Sequence, residues 1–176
     1  MTDDFYEIFP NSVSDTKIGR ITSLGKQVLD SYIDEKKWEG EGVIFASLSN
    51  SPINGELEDI REKIGKDMPL FLTTVRIPHD TFEEESNSKI KKFVEENNHT
   101  YLIDWYAASE GHDEYFDADD THLLSAGAKA YANCIKEAVL DAYKKENIEI
   151  PKSRLVSSTD TSTDSSNDSS TNASTE

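Results

Sequence analysis

The chain has 176 residues, enough for one domain, and a formal net charge of −17 at pH 7. This charge repels nucleic acid and anionic lipid, so neither is an expected partner, and we interpret it as a solvated acidic surface. A single cysteine, Cys134, excludes an intrachain disulfide, and no apolar run has the length of a membrane span or the form of a signal peptide. On these features alone, the chain is expected to remain cytoplasmic.

Composition divides the chain into two parts. Residues 1–150 have the composition of an ordinary globular domain, with enough apolar side chains to form a core. Residues 151–176 form a tail whose last twenty positions are almost all Ser, Thr, Asp and Asn. Such a tail buries too little apolar surface to offset the entropy of ordering it, so we expect it to be disordered.

Short apolar segments alternate with longer amphipathic ones along residues 1–150. Residues 4–9 predict the end of a helix stopped by Pro10, residues 12–17 a short strand, and residues 21–38 a helix. The remaining predicted elements are strands at 43–48, 70–75 and 101–105, and helices at 54–64 (capped by Asn54), 81–97 and 126–145 (opened by Ser125).

This alternation of strands and helices predicts an α/β fold with a parallel sheet and helices on both of its faces. In such sheets, ligands bind at the carboxyl ends of the strands, so functional residues are expected directly after strands. Three polar segments meet that condition: residues 15–20, 49–51 and 117–122.

The last of these segments contains the strongest chemical pattern, a carboxylate three residues before a histidine. Asp119 can reach the Nδ1–H of His122, fix its tautomer and stabilise the imidazolium, while Nε2 acts as a general base. Two alternatives stay open for the pattern alone. One is a polar surface loop without chemistry, and the other is a metal site that also uses Asp117 and Asp120, although its spacing matches no common metal loop.

A series of motifs runs in a fixed order through the chain. They are Phe9-Pro10, Asp15-x-x-x-Gly19-Arg20, residues 43–50, Asn87, Asp104-Trp105, Gly111-His112, Asp119-Asp120-Thr121-His122-Leu123 and Gly127-Ala128-Lys129-Ala130-Tyr131-Ala132. Over residues 5–142, the chain resembles the SGNH (GDSL-type) hydrolases, and more narrowly the extracellular domain of bacterial membrane acyltransferases of the peptidoglycan O-acetyltransferase kind.

The resemblance implies a flavodoxin-like three-layer α/β/α sandwich and a serine acyl-transfer mechanism that needs no metal and no cofactor. It assigns Asp119 and His122 as the acid and base, and the Gly19 N–H and the Asn50 amide as the oxyanion donors. It also implies an acyl donor, a peptidoglycan or other glycan acceptor, an upstream membrane acyltransferase part, and a location at the outer face of a bacterial cell membrane.

The sequence departs from the family pattern at the nucleophile. The family's serine belongs to a Gly-Asp-Ser motif after the first core strand, and no Gly-Asp-Ser occurs among the 176 residues. We therefore expect that motif and its strand to lie upstream of Met1, leaving a sheet that lacks its first strand and has an unpaired edge. The serines at 47, 49 and 51 fall in the oxyanion segment and not in the nucleophile turn.

Smaller departures occur elsewhere. Leu48 stands where the family has a glycine and is expected to add bulk beside the oxyanion site, while Asp120 and Thr121 replace the usual Gly and Val. The sequence therefore supports the rear part of an acyltransferase or esterase domain, inactive as an isolated chain. The alternatives are a non-catalytic glycan-binding or assembly module and a fragment active only with a separate nucleophile-bearing partner.

Overall fold

A sheet of three parallel strands forms the centre of the fold. The computed structural model describes residues 8–9, 12–35 and 40–147. The strands are β1 (Val43–Phe45), β2 (Leu70–Thr73) and β3 (Thr100–Ile103), in the order β1-β2-β3. Every residue of β2 is buried, as expected for a central parallel strand with both faces covered.

Five α-helices lie entirely within the described residues and surround this sheet, and Ile8, ahead of them, is also helical. They are α1 (Thr22–Asp34), α2 (Glu56–Ile64), α3 (Glu83–Glu96), α4 (Trp105–Ala108) and α5 (Ser125–Lys145). None of the helices in this part of the chain is long and apolar enough to span a bilayer.

The helices cover the two faces of the sheet with separate apolar clusters. On one face, Leu70 and Leu72 of β2 pack in a cluster that includes side chains of α1, α2 and α3. On the other face, Phe71 and Ile103 pack against α5 through Ile135, Val139 and Ala142. Alternate residues of β2 therefore serve opposite clusters, and the predicted three-layer α/β/α fold with a parallel sheet is confirmed.

The buried side chain of Arg61 forms hydrogen bonds at the amino ends of β2 and β3. The guanidinium of Arg61 donates to the carbonyls of Gly65 and Met68, which precede β2, at 2.9 and 2.7 Å. It also donates to the carbonyl of His99 at 3.1 Å and to the hydroxyl of Thr100 at 2.9 Å. Burial lowers the pKa of Arg61; the four acceptors serve its two terminal nitrogens, while its buried Nε has no hydrogen-bond partner among the described residues.

The strand predicted over residues 12–17 is wrong, because this segment is irregular and Val13 is 70% exposed. A strand needs a neighbouring backbone, and the described residues place no strand beside this segment. Strand β1 ends at Phe45 and not at residue 48. The free edge of β1, opposite β2, has no strand partner within the described ranges.

Both predicted side-chain caps are also wrong. Helix α2 is preceded by Gly55, at φ 94°, while the amide of Asn54 donates to the Pro52 carbonyl. Ser125 lies inside α5, and Leu124 precedes it without a side-chain hydrogen bond. The predicted helix over 21–38 is present as α1, and its last predicted residues, 36–38, lie outside the described part of the chain, as do residues 4–7 and the tail 151–176.

Two short helical segments after β3 were not predicted. The predicted strand over 101–105 ends at Ile103, and Asp104 then caps α4 by accepting from the Ala107 N–H at 3.3 Å. A 3₁₀ turn follows at Asp113–Tyr115. These segments lead the chain into the loop that carries Asp119 and His122.

Candidate active site

The carboxylate of Asp119 and the imidazole of His122 lie in direct contact. Asp119 Oδ2 is 2.5 Å from His122 Nδ1, and Oδ1 accepts from the backbone N–H groups of Thr121 at 3.1 Å and His122 at 2.9 Å. The other ring nitrogen, Nε2, has no hydrogen-bond partner among the described residues, and the His122 side chain is 71% exposed. The ring is thus oriented through Nδ1 and leaves Nε2 available to a reactant.

The same contacts set the protonation of Asp119. The hydrogen bond from the His122 ring, followed by those from the His122 and Thr121 backbone, lowers the pKa of Asp119 from 3.8 to about 2. The carboxylate is therefore ionised at any physiological pH, as required of a group that stabilises an imidazolium.

A hairpin-like turn holds this pair in place. Phe116 forms an isolated antiparallel bridge with Leu123, and the Asp117 N–H donates to the His122 carbonyl at 2.8 Å. Asp120, at the tip, has φ 55°, in the left-handed region that favours glycine and that Asp tolerates better than most residues. The turn therefore keeps the geometry of a glycine position although an aspartate occupies it.

The two predicted oxyanion donors lie on loops that precede α1 and follow β1, and these loops meet at Asn50 and Arg20, the residue after Gly19. Asn50 Nδ2 donates to the carbonyl of Arg20 at 3.3 Å and to Ser49 Oγ at 3.4 Å, both long hydrogen bonds. Gly19 has φ 69°, and its N–H makes no hydrogen bond within the described residues. The structure thus brings Asp119 and His122 into contact and joins the loops that carry Gly19 and Asn50 through Arg20, but no described hydrogen bond links Gly19 directly to Asn50 or either loop to the Asp119–His122 pair.

None of the nearby serines reaches His122 Nε2. The Oγ of Ser51 accepts from the Thr22 N–H at 3.1 Å and donates to the Thr22 hydroxyl at 3.2 Å, so it ties α1 to the loop. Ser47 packs against Gly25, where an added Cβ would lie 2.6 Å from the Ser47 Cβ. These contacts are those of structural side chains.

Leu48, expected to add bulk beside the oxyanion site, is a core residue. Its side chain is fully buried in the cluster formed with α1, α2 and α3, and its φ is not positive. The bulk expected beside the oxyanion site stays a prediction.

Asn87 and Arg76 emerge as residues at the carboxyl end of β2. Asn87 pairs with the backbone of Val75, accepting from its N–H at 2.7 Å and donating to its carbonyl at 2.9 Å. Arg76 lies over the rings of Tyr106 and Phe116, 5.6 and 5.7 Å from their centroids. Sequence reasoning missed Arg76, although it directly follows the predicted strand 70–75, where functional residues were expected.

No three His, Cys, Asp or Glu side chains in the described ranges are grouped to bind a metal ion. Cys134 is a residue of α5 and packs in the apolar cluster between α5 and the sheet. Burial raises the pKa of its thiol to about 11.

Comparison with known proteins identifies relatives of this chain. No family model matches the chain. O-acetyltransferase OatA of Staphylococcus aureus, in strains NCTC 8325 and COL, is 31% identical over 132 residues, which is 74% of this chain and 22% of OatA. The chain thus spans about a fifth of the length of these curated relatives.

A solved structure shares the fold. The C-terminal catalytic domain of Streptococcus pneumoniae peptidoglycan O-acetyltransferase A (OatA), with a methylsulfonyl adduct, matches with a TM-score of 0.72 and 20% identity. The match covers 81% of this chain and 87% of that one. In sequence and in fold, the chain resembles the SGNH-like C-terminal domain of the OatA O-acetyltransferases.

Proposed function

We propose that the chain provides the acid–base pair and the oxyanion donors of an acyl-transfer site that moves acetyl groups to a hydroxyl of a cell-wall glycan. One observation carries this proposal. The Asp119–His122 pair is held at 2.5 Å through Nδ1, while Nε2 stays exposed and unpaired within the described residues. This is the arrangement a general base needs, and the likeness to OatA supports acetyl as the group transferred.

The proposed reaction is a double displacement. His122 Nε2 takes the proton of a serine hydroxyl as its oxygen attacks the acetyl carbonyl, and the imidazolium then returns that proton to the departing donor oxygen. In the second half, Nε2 takes the proton of the glycan hydroxyl, whose oxygen attacks the acetyl-serine ester. The serine leaves, regains the proton, and the glycan ester is formed.

The negative charge that develops on the carbonyl oxygen needs donors, and Gly19 and Asn50 fit that role. The Gly19 N–H has no described partner, and both hydrogen bonds of the Asn50 amide are long, so both groups are available to an oxyanion.

The serine in this proposal comes from a segment outside residues 1–176, on the same polypeptide or another. The free edge of β1 supports that position. Val43 and Phe45 are buried, and Ile44 packs on the opposite face against the α5 cluster, so β1 is apolar on both faces like an interior strand. An interior-type strand with one open edge is suited to receive a further strand.

The proposal has three further parts. The acceptor is peptidoglycan, the acetyl donor is on a membrane acyltransferase part, and the site lies at the outer face of the cell membrane. They rest on the named relatives, one of which is a peptidoglycan O-acetyltransferase.

Complementation tests the proposal directly. The full chain is mixed with a peptide that has an apolar strand followed by Gly-Asp-Ser, and release of 4-nitrophenol from 4-nitrophenyl acetate is measured. Transfer of acetyl to a chitooligosaccharide is then followed by mass spectrometry. We expect turnover only in the mixture, and its loss with His122→Ala or with Ala in place of the peptide's serine.

A matched control is His112→Ala. The His112 side chain is 45% exposed, and its Nδ1 also contacts a carboxylate, that of Glu114, at 2.8 Å. The proposal predicts that this variant keeps the turnover. A complex that forms stably, as shown by sedimentation, but has no serine-dependent turnover would contradict it.

The second candidate is a non-catalytic glycan-binding or assembly module. It is favoured by the absence of Gly-Asp-Ser from the sequence and of any described serine at His122 Nε2. It predicts chitooligosaccharide binding to the full chain that is unchanged by His122→Ala.

A further inference from the structure

We propose that His79 is a positioning residue for the acid–base pair and that it acts through the carboxylate of Asp120. Its contact with Asp120 holds the turn that carries Asp119 and His122 in one conformation. The inference rests on the proposed function, because it says how the general base of that reaction is kept in place. Asp120 stands at a position where the family pattern has a glycine.

The turn depends on an unfavourable backbone conformation at Asp120. This residue has φ 55°, and its N–H donates to the Asp117 carbonyl at 2.9 Å, which closes the turn. Glycine adopts this region freely, whereas a residue with a Cβ occupies it at a cost. Asp119 and His122 lie on either side of Asp120 and contact each other at 2.5 Å. A change of backbone conformation between them would separate the pair.

His79 contacts the side chain of this strained residue. Its Nε2 lies 3.3 Å from Asp120 Oδ2. An imidazole with a proton on Nε2 donates to a carboxylate whether the ring is neutral or charged. The Asp120 carboxylate has no other hydrogen bond or ion pair within the described residues. The contact therefore joins the tip of the turn to the loop that follows β2.

The loop that carries His79 is anchored independently of the turn. The Ile77 N–H donates to the Glu83 carboxylate, and the Asp80 N–H donates to the Ile77 carbonyl at 2.9 Å. Ile77 is buried, and Pro78, between Ile77 and His79, has a φ fixed by its ring. A side chain presented by a loop that is held in this way can fix the position of its partner.

A second contact joins the same loop to the base of the turn. The central carbon of the Arg76 guanidinium lies 5.7 Å from the ring centroid of Phe116, and Phe116 bridges to Leu123. The loop after β2 thus contacts the turn at its base through Arg76 and at its tip through His79. Contacts at both ends restrict movement of the turn relative to the sheet.

The His79–Asp120 contact is too exposed to contribute much to the stability of the whole fold. The two side chains are 70% and 61% exposed, and ion pairs of this kind add little to global stability. Their effect is expected on the local equilibrium between closed and open forms of the turn. An exposed pair changes such an equilibrium by about two- to fivefold.

Hydrogen exchange of two amides in the full chain tests the inference. The Asp117 N–H donates to the His122 carbonyl at 2.8 Å and the His122 N–H to Asp119 at 2.9 Å, so both amides are protected while the turn is closed. By NMR, we expect His79→Ala to raise both exchange rates about two- to fivefold and to broaden the resonance of the His122 Nδ1 proton. His79→Arg should restore the original rates, because arginine also donates to a carboxylate.

A double-mutant cycle tests whether Asp120 is the route. Glycine adopts a positive φ without support, so in an Asp120→Gly background His79→Ala should leave both exchange rates unchanged. Asp80→Ala is the matched control, because Asp80 is the next exposed residue of the same loop and its side chain makes no hydrogen bond or ion pair among the described residues. This control should not change the rates.

Three outcomes would overturn the inference. They are exchange rates unchanged by His79→Ala, an equal increase in the Asp120→Gly background, and a matching fall in the urea midpoint, which would mean exchange through global unfolding. These measurements require no turnover, so their result is independent of complementation. If complementation succeeds, His79→Ala should also lower kcat by the same factor with KM unchanged, and an unchanged kcat would equally contradict the inference.

Discussion

Replacing Asn87 by alanine should destabilise the fold through two backbone groups. Asn87 satisfies both the N–H and the carbonyl of Val75, at 2.7 and 2.9 Å, and both residues are buried. Alanine leaves the two groups unpaired, at about 1–3 kcal/mol each. Relaxation of the surrounding structure offsets part of this cost, so we expect the free energy of unfolding to fall by about 3 kcal/mol.

Asn133→Ala is the control for this change. Asn133 is an exposed residue within α5, so its replacement alters helix propensity as Asn87→Ala does but removes no described hydrogen bond. Both variants gain about half a kcal/mol from the better helix former. The difference between them therefore isolates the cost of the unpaired Val75 backbone.

Urea unfolding followed by far-UV circular dichroism measures both variants. With equal slopes, the midpoint should move to clearly lower urea for Asn87→Ala and stay in place or rise slightly for Asn133→Ala. If the two variants unfold within about 1 kcal/mol of each other, the Val75 groups do not depend on Asn87, and the reasoning is wrong.

Three further predictions concern other sites. Carbon-detected NMR should give the Asp119 carboxyl a pKa of about 2, which should move back toward 3.8 in His122→Ala. Because folding lowers this pKa, the contribution of the pair to stability is full above about pH 4 and is lost as the pH falls through 2. Gly127→Ala should cost about 2–3 kcal/mol in urea unfolding, since an added Cβ would lie 2.2 Å from the Tyr115 carbonyl oxygen, and wild-type stability would contradict that contact. Cys134, with its thiol pKa raised to about 11 by burial, should react with a disulfide reagent at pH 8 far more slowly in the native chain than in urea, and equal rates would show that the thiol is accessible.

Hydrophobic periodicity predicted most of the fold because the buried elements are long or wholly apolar. Strand β2, buried at every residue, and helix α5, with a regular apolar stripe, were both predicted from the sequence. The strand at 12–17 was wrong because a strand forms only beside a neighbour, and a single segment's pattern contains no information about its partner. The caps at Asn54 and Ser125 were wrong because one or two residues decide a helix start.

The candidate site was predictable where its contacts are local. Asp119 and His122 lie three residues apart, so spacing alone placed them in reach of each other. Gly19 and Asn50 came from an ordered series of motifs, and in the structure Asn50 contacts Arg20, the residue after Gly19. Arg76 was missed because its significance depends on Tyr106 and Phe116, which are thirty and forty positions further along the chain and meet it only after folding.

The Arg61 contacts have a consequence for how this protein tolerates change. One guanidinium joins four acceptors at the amino ends of β2 and β3, whereas Asn50, Arg76 and the acid–base pair lie in segments that follow the opposite ends of the strands. The hydrogen bonds of Arg61 thus stabilise the amino ends of the strands, and the candidate site residues lie beyond their carboxyl ends. Substitutions in the loops after the strands should therefore accumulate with little loss of stability, which makes this scaffold suitable for directed evolution.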